Sequence, residues 1–263
     1  MRDALTYESI RLRTLRSTWW LTGLAILVSG LLGLTALGIK SSQPFAAGDY
    51  ADQLVGGPLA LFVLFMSVLL GMIGVFSLGH EYRYSTIRPT LSALPRRSTL
   101  MTAKVIVVIA YVGLIGLACQ IVRYLVMLLI LGSRLSDLGL FPGSLGRIWA
   151  GAIGYPIVFA LTGLALAGLS RSVPTALVIV IVMPIIAESL VRALLTIGDI
   201  RWLEDIAKLL PFTAGTQIMR YGRGDDVEFN KIFPTPWVGA VTFIVFMSIL
   251  LGLAWTLFEK RDA

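Results

Sequence analysis

The chain has 263 residues, 57% of them hydrophobic and only 14% charged, with a mean hydropathy of +0.85, yet its formal net charge is +7 and its pI is near 9.8. A soluble domain carries about a quarter charged residues, so these charges are too few to cover a globule. Ample apolar surface excludes disorder, a nucleic-acid interface would need a soluble basic face, and the class that remains is an all-α integral membrane protein. Cys119 and His80 are the only residues of their kinds. That excludes an intrachain disulfide, a zinc site built on Cys and His clusters, and a catalytic triad within the chain that needs a second histidine.

A spanning helix needs about 20 mostly apolar residues to cross roughly 30 Å of hydrocarbon. Six stretches qualify, near Trp19 to Ile39, Pro58 to Leu78, Val105 to Leu131, Ile148 to Leu169, Val173 to Ile197 and Val238 to Phe258. The first is expected to remain in the mature protein, because its apolar core is too long for a signal peptide and no small-residue cleavage site follows before Lys40. Six spans put both termini on one side. That side also receives Arg2, Arg11, Arg13 and Arg16, then Arg83, Arg88, Arg96, Arg97 and Lys104, then Arg171, Lys260 and Arg261, so the termini are expected in the cytoplasm. The 198–236 loop, nearly balanced in charge, is then external.

Within the spans, Gly30 with Gly33, Gly71 with Gly74, Gly113 with Gly116, and Gly163 with Ala167 offer sites of close helix approach. Pro156 and Pro184 are expected to kink the fourth and fifth spans.

The N-terminal segment, with a connecting helix over residues 1–18, places Leu5, Leu12, Leu15 and, just beyond, Trp19 on one helical stripe, with Arg11 and Arg13 away from it. This predicts an interfacial helix, with a plain basic anchor as the alternative. Glu8 falls inside the stripe and weakens it. In the 79–104 loop, Thr86 can cap a short helix whose first turn tolerates Pro89, and Pro95 closes it. Ile87, Leu91 and Leu94 then share one face, an apolar ridge of the kind a helix presents to a groove on a partner protein. So short a helix is not stable alone.

Charges at membrane depth are costly and point to function. Glu188 and Arg192 stand four residues apart in the fifth span, a spacing that predicts an ion pair on one helix face. Arg123, in the third span, is expected to snorkel or to pair with another helix, while Cys119 and Gln120 beside it serve packing and interhelical hydrogen bonds. Phe62, Phe65, Met66, Leu69, Met72 and Phe76 form a soft apolar stripe on the second span. Such a stripe suits either core packing or an adaptable surface for amphiphilic cargo.

Several stretches, taken in order, resemble the actinobacterial permeases of the ABC type 2 exporter family. They are Arg16-Ser17-Thr18-Trp19-Trp20, then Gly79-His80-Glu81-Tyr82-Arg83 followed by Thr86-Ile87-Arg88, and Leu94-Pro95-Arg96-Arg97 ahead of Ala103-Lys104. Leu210-Pro211-Phe212-Thr213-Ala214-Gly215 is similar to that family too, so the resemblance runs the length of the chain. It departs at Ser85, where glycine is expected, and at Pro89, inside the coupling segment.

The resemblance implies that the first cytoplasmic loop holds a coupling helix seated in a cleft of an ATP-binding subunit. The contact would comprise Glu81, Tyr82, Arg83, Thr86, Ile87, Arg88, Leu91, Leu94, Arg96 and Arg97. It also implies that the N-terminal helix is a connecting helix along that subunit, and that Trp202 to Leu210 form short re-entrant helices. The second and fifth spans would line a path between two permease chains, which makes Phe62, Phe65, Met66, Leu69, Met72 and Met183 candidate path residues.

No GxxxxGK[ST] motif occurs in the chain, so ATP and magnesium are expected on the partner subunit, present in two copies. The expected function is export of a hydrophobic or amphiphilic substrate across the plasma membrane, in contact with lipid and with no nucleic-acid partner, no metal and no catalytic residues. Two other classes compete with it. An intramembrane enzyme would need paired aspartates within spans or an HExxH motif, which the sequence lacks; a structural or sensory membrane partner has no distinguishing motif.

Overall fold

The computed structural model describes residues 1–39, 61–93, 96–132, 145–196, 201–219 and 236–260, and every element among them is helical. Helix α1 (Arg2–Thr14) ends at Leu15, whose extended backbone at φ −71° and ψ 119° breaks it from α2 (Arg16–Gly33). A short α3 (Ala36–Ile39) continues α2. Then come α4 (Leu61–Arg83), α5 (Ile87–Ala93), α6 (Arg97–Leu131) and α7 (Leu145–Ser170). The fifth span is α8 (Val173–Val182), a π-helical turn (Met183–Ala187) and α9 (Glu188–Thr196). Two short helices, α10 (Arg201–Lys208) and α11 (Pro211–Thr216), precede α12 (Pro236–Lys260).

Six of these stretches are long and apolar enough to cross a membrane: Arg16–Gly38, Val63–Arg83, Arg97–Leu131, Gly146–Ser170, Val173–Leu195 and Trp237–Lys260. They coincide with the expected spans, with one informative difference. The second helix runs on to Arg83 and the third begins at Arg97, so residues 79–83 and 97–104, expected in a loop, are helical. The physical reason is that Glu81 and Lys104 are buried against each other's charge, which lets the helices continue through polar residues.

The second and fourth spans form the buried centre of the bundle. Glycine makes their approach close. A Cβ on Gly71 would lie 2.7 Å from Phe159, a Cβ on Gly74 would overlap the carbonyl of Ala160, and one on Gly163 would overlap the carbonyl of Gly71. The first span packs on the third, and the sixth on the fourth. Pro156 is accommodated within α7. Pro184 coincides with the π turn, where the amide of Glu188 bonds to the carbonyl of Met183, since proline removes a donor and a π bulge absorbs the mismatch.

Gly74→Val should cost about 1–3 kcal/mol or more, because the obstacle is backbone and cannot rotate away. A lowered thermal midpoint in lipid nanodiscs, with Gly252→Val as a control at a position with open space, checks this.

Candidate functional site

The end of the bundle that carries both α1 and the last turn of α12 is held together by charge. Lys104 of α6 is wholly buried. Its Nζ donates to Glu8 Oε1 of α1 at 2.6 Å, to Glu81 Oε1 of α4 at 2.7 Å and to the carbonyl of Ser77 at 3.2 Å. Arg11 completes the group by donating to the Glu81 carboxylate and the Ser77 carbonyl, with Nη2 3.4 Å from Glu8 Oε2. Two cations and two carboxylates balance. Each ion costs several kcal/mol to bury, so the cluster is tolerable only because it is complete. Burial pushes the Glu8 carboxyl above the ordinary carboxylate range, while Lys104 and Arg11 draw it back. Glu8, which mars the amphipathic stripe of α1 in the sequence, is thus the residue that ties α1 to the third span.

The chain leaves this cluster through a tight C-terminal cap. The amide of Thr86 bonds to the carbonyl of Glu81 at 3.0 Å and that of Ser85 to Tyr82 at 3.3 Å. This paired pattern needs a left-handed residue, and Ser85 supplies it at φ 55°. The departure from glycine noted in the sequence therefore falls at the one position in this turn where glycine would be unstrained. Thr86 then precedes α5, with its carbonyl accepting from the amide of Thr90 at 3.1 Å, and Pro89 lies in the first turn. The hydroxyls of Tyr7 and Thr90 meet at 3.0 Å, so α1 and α5 touch.

The apolar ridge of α5 faces inward. Ile87 is 6% exposed and Leu91 packs against the same core, so both side chains are covered by this chain's own residues. Periodicity reveals an apolar face, but the neighbour that covers it is this chain's own core. Leu94 lies outside the described residues. Glu81, expected at the partner contact, is buried at 1% exposure and engaged with Lys104. Tyr82 is half-buried beneath the guanidinium of Arg171, 5.6 Å from its ring centroid, and Arg97 donates to the carbonyl of Phe258 at 3.1 Å. The outward surface of this end comprises Arg83, Tyr84, Thr86, Arg88, Pro89, Ser92 and Arg96.

At membrane depth, both oxygens of Glu188 accept backbone amides, from Phe212 at 3.0 Å and Thr213 at 2.9 Å. The carboxylate thus caps α11, a role that the expected ion pair with Arg192 did not include. The capped helix is seated among Tyr155, Phe159, Phe243 and Phe246, rings that surround Phe212. A Cβ on Gly215 would lie 2.6 Å from Phe243. Backbone amides leave no trace in a residue pattern, so sequence reasoning missed this partner.

Of the candidate path residues, Met66 and Leu69 are core, Met72 is half-buried, and Phe65 and Met183 are exposed at 45% and 43%. The Phe62 side chain lies outside the described set. Within this chain, Met66, Leu69 and Met72 of the second-span stripe pack against the core. Arg123 is buried at 2% exposure, not snorkelling.

Lys104→Met would leave two buried carboxylates facing Arg11 alone and should cost about 3–5 kcal/mol. Thermal unfolding in nanodiscs measures it, with Arg13→Met, on the exposed face of α1, leaving the midpoint unchanged.

Comparison with curated proteins gives no match. Comparison with protein families gives a match to the model described as ABC-2 family transporter protein over residues 5–187. The match takes in α1, the charge cluster, α5 and the spans as far as the π turn. The chain belongs to the ABC-2 family of transporter proteins, a multi-pass membrane component of ATP-binding cassette transport.

Proposed function

We propose that this chain is the permease subunit of an ATP-driven exporter that carries a hydrophobic or amphiphilic substrate such as a drug, an antibiotic peptide or a lipid-like molecule. Two copies form one path, two ATP-binding subunits supply the ATP and magnesium sites, and both termini face the cytoplasm of a plasma-membrane-resident assembly. Family membership supports the transport role, and the basic residues at the end that carries α1 and α5 support the orientation.

The observation that carries the mechanism is how α5 is mounted. Its apolar side is anchored in the chain's own core and its hydroxyl meets α1, while Arg88 and Arg96 project outward beside Arg83 and Tyr84. A coupling helix mounted this way takes a push from a partner on a polar basic surface. It passes the push on through rigid packing, because the second span is joined to α5 by a three-residue turn and to α1 and the third span by the charge cluster. The contact surface is thus narrower than the resemblance implies: Arg83, Thr86, Arg88 and Arg96 belong to it, whereas Glu81, Ile87, Leu91 and Arg97 hold it in place. Movement of the ATP-binding subunits would then shift the spans between two packings. The short helices α10 and α11 act as re-entrant elements of the external leaflet, with Trp202, Ile206 and Leu209 exposed toward lipid.

Arg88→Glu combined with Arg96→Glu should lower recovery of the cognate ATP-binding subunit by roughly tenfold, as loss of a complementary charged contact does, with no change in thermal midpoint. Pull-down from detergent and ATPase assay in nanodiscs measure both. Undiminished recovery and turnover would sink the assignment of this face.

A further inference from the structure

The first span has one uncovered side, and that side is ordered from head to tail. Arg16, Trp20, Leu24, Leu27 and Leu31 of α2 are all exposed. At about 100° per residue they fall within about 80° of one another, so they form a single stripe. Thr18, Ala25, Ser29 and Leu32, on the other side, are buried in the bundle. From Trp20 to Leu31 the stripe is about 16 Å long, close to the depth of one leaflet of a hydrocarbon core about 30 Å thick. Tryptophan settles where hydrocarbon meets headgroups, and Trp20 is 80% exposed. Arg16, one turn further out, therefore stands at headgroup depth. Arg13 flanks the same elbow, because Nε1 of Trp19 donates to the Arg13 carbonyl at 2.6 Å and ties the last turn of α1 to the start of α2. Both arginines are exposed. Their surroundings hold little negative charge. Residues 10–20 include no acid, and in α1 Asp3 lies at the far end while Glu8 is engaged with Lys104. The second and third spans, which pack on α2, contribute Glu81 alone, and Lys104 and Arg11 hold it.

We infer that this stripe is a binding site for an anionic phospholipid, its head on Arg13 and Arg16 and an acyl chain along Leu24, Leu27 and Leu31. A guanidinium is a planar fork of donors that matches two oxygens of one phosphate. Each arginine at an anionic surface is worth roughly a fivefold preference. A choline head would set its own ammonium against the two guanidinium groups, and a free phosphate would have no chain to lay on the leucines. A protein in the aqueous phase could reach the arginines but not the stripe below them, so the lipid accounts for the whole feature. Topology alone asks for basic residues at this end of the bundle; it does not ask that one of them head an apolar stripe one leaflet deep. The site requires only that α2 span a bilayer. The proposed orientation decides which leaflet supplies the lipid, and the proposed coupling contact plays no part in it.

Tryptophan fluorescence quenched by chain-brominated lipid tests this, with the full-length protein in phosphatidylcholine nanodiscs. One sample carries a tenth of its lipid as brominated phosphatidylglycerol, the other the same fraction as brominated phosphatidylcholine. Trp20→Phe isolates the signal of the stripe, as the quenching that this variant loses. That part should be at least threefold larger with the brominated phosphatidylglycerol. Arg13→Gln combined with Arg16→Gln should make the two lipids equal, and Arg13→Lys with Arg16→Lys, which keeps the charge needed for insertion, should keep part of the preference. If the glutamine pair does not insert, Arg16→Gln alone should at least halve the preference. Millimolar glycerol phosphate should leave it unchanged. Equal quenching by the two lipids, a preference untouched by Trp20→Phe, or one that survives in every glutamine variant obtained would overturn the inference. Displacement by glycerol phosphate would reduce the site to a phosphate contact, and loss of the preference on adding the ATP-binding subunit would give the arginines to that protein; either result also overturns it.

Discussion

An ammonium group with no access to solvent has to be met by carboxylates, and Lys104 sets that requirement for this molecule. Its Nζ lies within 2.7 Å of both Glu8 and Glu81, so three segments far apart in sequence must converge on it. The N-terminal helix is brought in by Glu8, the second span by Glu81, and Arg11 restores neutrality. Replacing such a group by packed apolar residues often costs little, but removing one member is severe. The cluster therefore fixes geometry more than it adds net stability, and the geometry it fixes is that of the short helix which follows the second span.

Around this cluster the bundle is uneven. The second and fourth spans are packed tightly through glycine, and the first, fifth and sixth are largely uncovered. A push on α5 would thus be received by the stiffest part of the chain, while the loosely covered spans are the ones left to move. Arg171 adds a tie between the fourth and fifth spans and the end of the second. It does so from a left-handed backbone at φ 52°, a conformation that costs a non-glycine residue about 1–2 kcal/mol. Its guanidinium rests over Tyr82.

The architecture was largely legible in the sequence because hydrocarbon thickness sets span length, and runs of apolar residues record it directly. Glycine pairs such as Gly71 with Gly74 pointed to close approach for the same reason: only size matters there. The site was legible only in part. Ile87 and Leu91 announced an apolar face without saying which surface covers it. Glu8 looked like a flaw because its partner stands 96 positions away, and the amides that Glu188 accepts from are backbone groups that leave no mark in a residue pattern. Ser85 showed the reverse case. A deviation from glycine at a single position identified the turn in which a left-handed residue sits.

The π turn at Met183–Ala187 has a consequence for how the fifth span is phased. Before it, Val173, Ala176 and Val180 define the buried side, and after it Glu188 must fall on that same side to reach α11. Each residue of an α-helix advances the side chains by about 100°, so an uninterrupted helix would carry Glu188 off the buried stripe and toward lipid. The one extra residue taken up by the π turn resets the phase. The position of a single carboxylate, and with it the seat of a helix more than twenty residues later, therefore depends on a local miscount in the winding of the fifth span.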